Sequence, residues 1–527
     1  MANKNLFKNT GTSVPAADTV NNAGGKAYSF DKKHCLAQIA ATNCFNGTFY
    51  ASAEDNLKLA KDAALALRSD PEFIAKVALY SRDKGYMKDM PAFLTVVLSE
   101  IDKPLFRKVF RKVIDNGKML RNAIQMARSG AVTAKPANMS AGTWRNAIQE
   151  WFDSRDSVAL FKASIGNDPS MRDILRMARP KPNSAEKEAL FGYLVGKDVS
   201  LDALPENVRA YEQYKKTKAG AVPDVDFRML DSLGIGDSEW AQIAARAPWM
   251  MTRMNLNTFA RHGVFKNTDL SKKIAERLRN KELVQKARAF PYQLFVAWRE
   301  ISENNDIPSV VKEALQDAME IAIENVPELP GQGFVCVDAS GSMGASITGN
   351  TLNRHQSSVK CIDVASLIAS AVYRKNRSAE IYTFDDKAIK VNLNSRDTVF
   401  TNTSKLNNAG GGTNISAPLV ELNQKNAKAD WVLYVSDNES WMDSNSRFGY
   451  YGTNLASEWS KFKTRNPKAR LICCDLTPRN NSQIQCQKDV LQVGGFSDQV
   501  FDVMSSFLQH GHETDHWVNL IEKVELP

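Results

Sequence analysis

The sequence predicts a multidomain α plus α/β protein: a wholly helical region, then a domain built on a doubly wound parallel sheet. Three observations carry that prediction. At 527 residues the chain is too long for one hydrophobic core. Residues 31–325 show helical periodicity almost throughout. After Pro327 and Pro330 the pattern changes to short apolar runs alternating with amphipathic stretches, as a parallel sheet covered on both faces requires.

Residues 1–30 are polar, rich in Asn, Thr, Ala and Gly, and lack the apolar core of a signal peptide. A flexible arm is expected there. No apolar run approaches the roughly 20 residues of a membrane span. Seven scattered cysteines include no Cys-x-x-Cys pair, so reduced, buried thiols in a cytoplasmic protein are expected.

In the helical region, Asn56–Leu67 combines strong helix formers with a broad apolar face. Asp70-Pro71 supplies an N-cap and a first-turn proline, and Asp102-Lys103-Pro104 and Asp168-Pro169 repeat that start signal. Met171–Ala178, Ser184–Leu194 and Leu270–Arg279 continue the series. Antiparallel helix pairs of this kind fit an α-solenoid of HEAT-like repeats. No strict period is present, so a plain multi-helix globule fits the pattern as well.

Net charge is +9 and unevenly placed. Residues 326–527 hold 20 Lys and Arg against 21 Asp and Glu, which leaves 48 against 38 for residues 1–325. The excess points to a polyanion partner for the helical region, RNA or DNA first. Candidate phosphate contacts are Arg107, Lys108, Arg111 and Lys112; Lys118 and Arg121; Arg145 beside Trp144; and Arg172, Arg176 and Arg179, spaced as one helical stripe and extended by Lys181. Solvated helix surface is the competing reading for each cluster.

In the C-terminal region, Gly333–Asp338, Ala379–Phe384, Ala388–Leu393, Trp431–Ser436, Arg470–Leu476 and Val490–Val493 read as strands. Lys360–Lys375, Ile415–Asn426, Leu455–Lys463 and Val500–Leu508 read as helices. Ligands in such sheets bind beyond the carboxyl ends of the strands. Three oxygen-rich stretches fall at such ends: Asp338-x-Ser340-x-Ser342, Thr413 after Gly410-Gly411-Gly412, and Asp437. Together they supply five hard ligands for an octahedral cation, Mg²⁺ or Mn²⁺, with one position left over. Asp385 and Asp386 are a spare acidic pair nearby, with a turn or cap role as the alternative.

Residues 331–510 resemble a von Willebrand factor A domain with a complete metal-ion-dependent adhesion site (MIDAS). That resemblance implies direct contact of Ser340, Ser342 and Thr413 with the cation, and contact of Asp338 and Asp437 through water. The helical region is similar to the TROVE module of the Ro autoantigen family. The matching stretches are Trp144–Trp151, Ile174–Pro182, Asn257–Gly263 and Phe290–Phe295. The resemblance implies an arm over 1–30, an RNA-binding helical ring over 31–325 that includes Arg261 and His262, and an A domain over 331–527 that closes the ring. It implies a non-catalytic, monomeric ribonucleoprotein component that binds Y-RNA-like small RNAs on an outer basic surface. The resemblance also implies that single-stranded 3′ ends of misfolded RNAs pass through a basic central hole of the ring, in RNA quality control with a 3′-to-5′ exoribonuclease as partner. Arg179 stands where a histidine is common in the family motif.

Two other readings stay open. One is a protein-binding adaptor that grips a partner carboxylate through the metal, with RNA incidental. The other is a metal-dependent nuclease, against which a single cation held largely by hydroxyls offers no evident general base. His512-Glu513-Thr514-Asp515-His516 matches the zinc-protease spacing, but Thr514 and Asp515 are weak helix formers and only eleven residues follow. A polar surface helix is expected there.

Overall fold

The computed structural model describes residues 14–42, 45, 51–140, 142–287, 289, 291–324, 326–347, 359–442, 452–497, 499–511 and 513–527. The chain forms two compact units. One comprises Met1–Ala60, Phe290–Tyr292 and Ala322–Leu520; the other comprises Lys61–Ala289, Gln293–Ile321 and Ile521–Pro527.

The second unit is helical. Asp70 caps Pro71–Asp83 by accepting from the Phe73 amide at 3.2 Å, and Asp102 caps Lys103–Val113 through Leu105 at 2.9 Å. Both match the Asp-Pro start signals. The third differs: Met171–Ala178 is capped by Ser170 in a reciprocal box with Asp173, and Asp168 lies outside it. Ser170 fits because its hydroxyl sits three residues before a carboxylate that can return the bond.

Neighbouring helices are tied by donors reaching carbonyls left open at helix ends. The Trp151 indole donates to Ile114 O at 2.7 Å and the Trp249 indole to Leu278 O at 3.0 Å. Arginines do the same from Arg155 to Asp115 O and from Arg277 to Ala244 O, and Arg246 ties its helix to the loop carbonyls of Val222 and Pro223. Part of the positive charge of this region is therefore structural. It holds helix pairs together and is not available to a partner.

The first unit is built on a six-stranded sheet. β1 (Thr19–Val20) and β2 (Lys26–Ser29) precede it in the chain. β3 (Gly333–Asp338), β4 (Glu380–Phe384), β5 (Ala388–Val391), β6 (Trp431–Ser436) and β7 (Arg470–Asp475) follow, then β8 (Asn481–Ser482) and β9 (Val490–Gly494). The sheet order is β5-β4-β3-β6-β7-β9, and all pairs are parallel except β4–β5. Every residue of β3 and β6 is buried, as expected of strands covered on both faces. Phe334 and Cys336 of β3 pack with Tyr382, Phe384, Val432 and Tyr434 in one core. β5 is antiparallel because only Asp385–Lys387 separates it from β4, too short a link for a crossover.

Three features differ from expectation. Val399–Leu406 is a helix capped by Thr398, in a Thr- and Asn-rich stretch of poor propensity. β1 and β2 pair with each other, and β2 pairs with β8 through Tyr28↔Ser482. The described part of the expected arm is thus ordered from Val14 onward; residues 1–13 lie outside the described residues.

Candidate cation centre and basic surface

β3 and β6 lie side by side in register, Val337 against Val435, so their ends deliver Asp338 and Ser436-Asp437 to adjacent positions. Asp338 accepts from the Ser340 amide at 2.9 Å and from the Ser436 hydroxyl at 2.5 Å. The Ser340 and Ser342 hydroxyl oxygens are 3.2 Å apart. The glycine loop is stitched to this turn: Gly341 N donates to Gly411 O at 3.2 Å and Gly410 N to Ala339 O at 2.8 Å. Gly411 has φ +76° with Asp385 packed against it, a conformation and a clearance that favour glycine. The Thr413 carbonyl accepts from the Ser440 hydroxyl at 3.0 Å and from the Met442 amide at 3.2 Å, which binds the third loop to the second. Asp338, Ser340, Ser342, Thr413 and Asp437 are all buried.

Asp385 and Asp386 take the turn role. Asp386 accepts from the Gly412 amide at 2.7 Å, and Asp385 O accepts from Asn414 N at 2.9 Å, so the pair anchors the glycine loop.

Burial, then the charge of Asp437, pushes the Asp338 carboxyl up to about 7, against opposing hydrogen bonds from Ser340 and Ser436. Asp437 is raised chiefly by burial, with Ser342 opposing. Two buried carboxylates that resist ionising together, amid hydroxyls, fit a divalent cation, which would favour their charged forms. The oxygen-only donor set suits Mg²⁺ or Mn²⁺.

Several residues around this centre went unread in the sequence. Asn22 Nδ2 donates to Glu439 Oε1 at 2.8 Å, Ala23 N to Glu439 Oε2 at 3.1 Å, and Asn21 Nδ2 to Ser440 O at 2.7 Å. The β1–β2 turn therefore clasps the loop that carries Asp437. Gly25 belongs there because a Cβ would lie 2.0 Å from Ser440 O. Glu439 is pushed up to about 7 by burial. Asp475, at the end of β7, is raised well above the usual carboxylate range by burial. Arg479 lies among these carboxylates and donates to Asn56 Oδ1 at 2.6 Å. A strand-end position could have flagged Asp475; no local signal marks Arg479.

The candidate basic residues sort into two groups. Lys108, Arg111, Lys112, Lys118, Arg145, Arg172, Arg176, Arg179, Lys181 and Arg261 are exposed. Arg107 is also exposed but is paired with Glu150. Two assignments change. Arg121 is half-buried and donates to Ala163 O at 3.0 Å, which makes it a tie between helices. His262 stacks on Trp240 at 4.7 Å and faces Asp237 at 3.6 Å, so its ring is occupied by packing. The stripe also shortens. Arg179 is the left-handed C-cap of Met171–Ala178, at φ 49°, so helical spacing ends at Arg176. Lys181 is held by backbone bonds in both directions with the Gln149 amide, at 2.6 and 2.9 Å. Leu175, Pro180, Phe191 and Val199, with Glu188, Lys197 and Asp198, line a groove of about 550 Å³ beside these cations.

A family model described as the Ro60 vWA domain matches residues 332–508. The RNA-binding protein RO60 of Deinococcus radiodurans is 24% identical over 539 residues, covering 92% of this chain and 94% of its own. The crystal structure of Deinococcus radiodurans RO (RSR) protein matches with a TM-score of 0.61 at 18% identity, covering 91% of this chain and 99% of that one. Residues 332–508 thus match a von Willebrand factor A domain of the Ro60 type, and nearly the whole chain is similar in sequence to one Ro protein and shares the fold of a solved Ro structure.

Proposed function

We propose that this protein is a non-catalytic RNA-binding protein whose helical region holds the RNA. Its ligands are small structured, Y-RNA-like molecules and the single-stranded 3′ ends of misfolded RNAs. It acts in cytoplasmic RNA quality control beside a 3′-to-5′ exoribonuclease. The observation that carries this reading is the exposed run Arg172, Arg176, Arg179 and Lys181 beside a mixed polar and apolar groove containing Phe191. Cations track the phosphates of a single strand while apolar and aromatic surface receives its bases. Lys108, Arg111 and Lys112, exposed on one helix, extend the electrostatic footprint. The similarity to a relative named as RNA-binding supports the same reading.

The A domain plays a different part. Ser340, Ser342 and Thr413 would hold Mg²⁺ or Mn²⁺ directly, and Asp338 and Asp437 through water. The cation would neutralise the buried carboxylate pair and fix three loops as a docking point for a protein partner. No step of RNA chemistry is assigned to it.

Gel shifts across a salt series test the reading. Affinity is expected to fall steeply with salt and to favour an RNA with a free single-stranded 3′ tail over the same RNA with that tail paired. Salt-insensitive binding, or none, would instead favour the adaptor function.

A further inference from the structure

Three segments far apart in sequence meet in the sheet-containing unit. His34 lies on helix Lys32–Thr42, Cys486 between β8 and β9, and Asp515 in the turn before helix His516–Glu522. Cys486 Sγ is 3.6 Å from His34 Nδ1, and Asp515 Oδ1 is 3.6 Å from the same nitrogen. One ligand atom from each residue lies within 4.8 Å of the other two. Zinc bound tetrahedrally at its usual bond lengths would separate sulfur, nitrogen and oxygen ligands by roughly 3.3–3.6 Å.

Hydrogen bonding holds this cluster only weakly: Cys486 Sγ lies 3.6 Å from His34 Nδ1 and 3.8 Å from Nε2, long contacts for a weak sulfur donor. The 3.6 Å between Asp515 Oδ1 and His34 Nδ1 is longer than a normal hydrogen bond, although the imidazole and the Cys486 thiol still hold the Asp515 carboxyl below its usual range. Asp515 also holds φ 60°, a left-handed backbone that a non-glycine residue adopts at a cost. Its backbone is held where its carboxylate faces the imidazole and the thiol.

The second shell is also present. Gln38 Nε2 is 3.3 Å from His34 Nε2, and Gln38 Oε1 is buried without a partner among the described residues. A half-turn of that amide gives Oε1 the Nε2–H to accept and leaves Nδ1, the ring nitrogen nearest Asp515 Oδ1, free of its proton. Phe30 stacks on the imidazole at 4.5 Å and Trp517 meets it edge-on at 6.0 Å, which shields one side from water.

A nucleophilic triad is the competing chemistry, and the geometry argues against it. A triad places its acid and its nucleophile in line with opposite ring nitrogens, whereas here Cys486 Sγ lies 3.6 Å from Nδ1 and 3.8 Å from Nε2, in line with neither, and Nε2 faces Gln38. Burial and the Asp515 carboxylate also hold the Cys486 thiol well above its usual range, so no free thiolate is favoured.

We propose that His34, Cys486 and Asp515 form a transition-metal site, best suited to Zn²⁺, with a fourth position for water. Soft sulfur and imidazole ligands separate it chemically from the all-oxygen centre at the ends of β3 and β6. Bound metal would staple the first helix to the β8–β9 loop and to the C-terminal turn. The His512–His516 spacing thus takes on a different meaning. Glu513–Asp515 are bend and turn, His512 lies outside the described residues, and His516 faces Ser506 at 3.1 Å. Asp515 is the member of that motif that faces the site.

Co²⁺ titration of the chelator-stripped full chain tests the site. One equivalent is expected to produce a thiolate-to-cobalt charge-transfer band. Zn²⁺ displaces it, and excess Mg²⁺, which suits the oxygen centre, leaves it. Cys486→Ser abolishes the band and Cys35→Ser keeps it. If Cys486→Ser fails to fold, Asp515→Asn serves instead. That variant keeps the band but weakens Co²⁺ affinity by well over about tenfold, since even outer-shell partners are worth that much. No band in the folded wild type, a band that survives Cys486→Ser, or unchanged affinity in Asp515→Asn overturns the assignment.

Discussion

Replacing Arg172, Arg176, Arg179 and Lys181 together with glutamine lowers RNA affinity by at least about tenfold at low salt. It also flattens the slope of log affinity against log salt by about 3, from four lost contacts at roughly 0.7 each on a single strand. All four side chains are exposed. Exposed substitutions of this kind change stability by about 0.5 kcal/mol or less each, with a thermal melt as control for Arg172, whose Nε also donates to Leu194 O at 3.4 Å. Arg121 is left out of the set because its guanidinium is committed to Ala163 O. Filter binding over a salt series measures both quantities. A variant with unchanged affinity and slope places the RNA elsewhere.

Stripped of divalent cations, the protein loses thermal stability as pH rises from about 5 to about 8, and Mg²⁺ removes most of that loss. Burial raises Asp338 and Glu439 to about 7 and raises Asp437 in the same direction. In the unfolded chain these groups titrate near about 4. Between those values the folded state binds more protons than the unfolded state. The stability they contribute is therefore full below the unfolded value and is lost as pH climbs through the folded one. A cation at the centre favours the ionised carboxylates, so its stabilising effect grows with pH. Asp338→Asn removes one of the charges and is expected to shrink both the pH-dependent loss and the response to Mg²⁺. Thermal melts with chelator and with Mg²⁺ show this; a midpoint that climbs with pH in chelator contradicts it.

The strands and their end residues were legible because their chemistry is local. β3 and β6 are six-residue runs buried on both faces, and a carboxylate followed by two hydroxyls at a strand tip has few other uses. The same holds for Asp70 and Asp102, whose cap bonds span three residues. What the sequence hid depends on partners far away. β1 and β2 hold two and four residues, too short for a period, and β2 finds its partner in β8. Arg121 and Arg172 look alike in sequence and each reaches a carbonyl, Ala163 O at 3.0 Å and Leu194 O at 3.4 Å, yet only Arg121 is half-buried while Arg172 stays exposed. Arg179 leaves the stripe because Met171–Ala178 ends one residue before it, and helix ends are the least certain feature of a pattern. His34, Cys486 and Asp515 share no local motif, and the spacing around Asp515 points towards its neighbouring histidines instead.

Photo-crosslinking of the full chain to a 3′-tailed RNA, followed by peptide mapping, tests most directly the claim that the helical region carries the RNA. Adducts are expected within Lys61–Ala289, concentrated on the peptides from Met171 to Val199 that carry the exposed arginines and line the neighbouring groove. Adducts concentrated instead on residues 338–342, 410–413 and 437–442, around the cation centre, would contradict it.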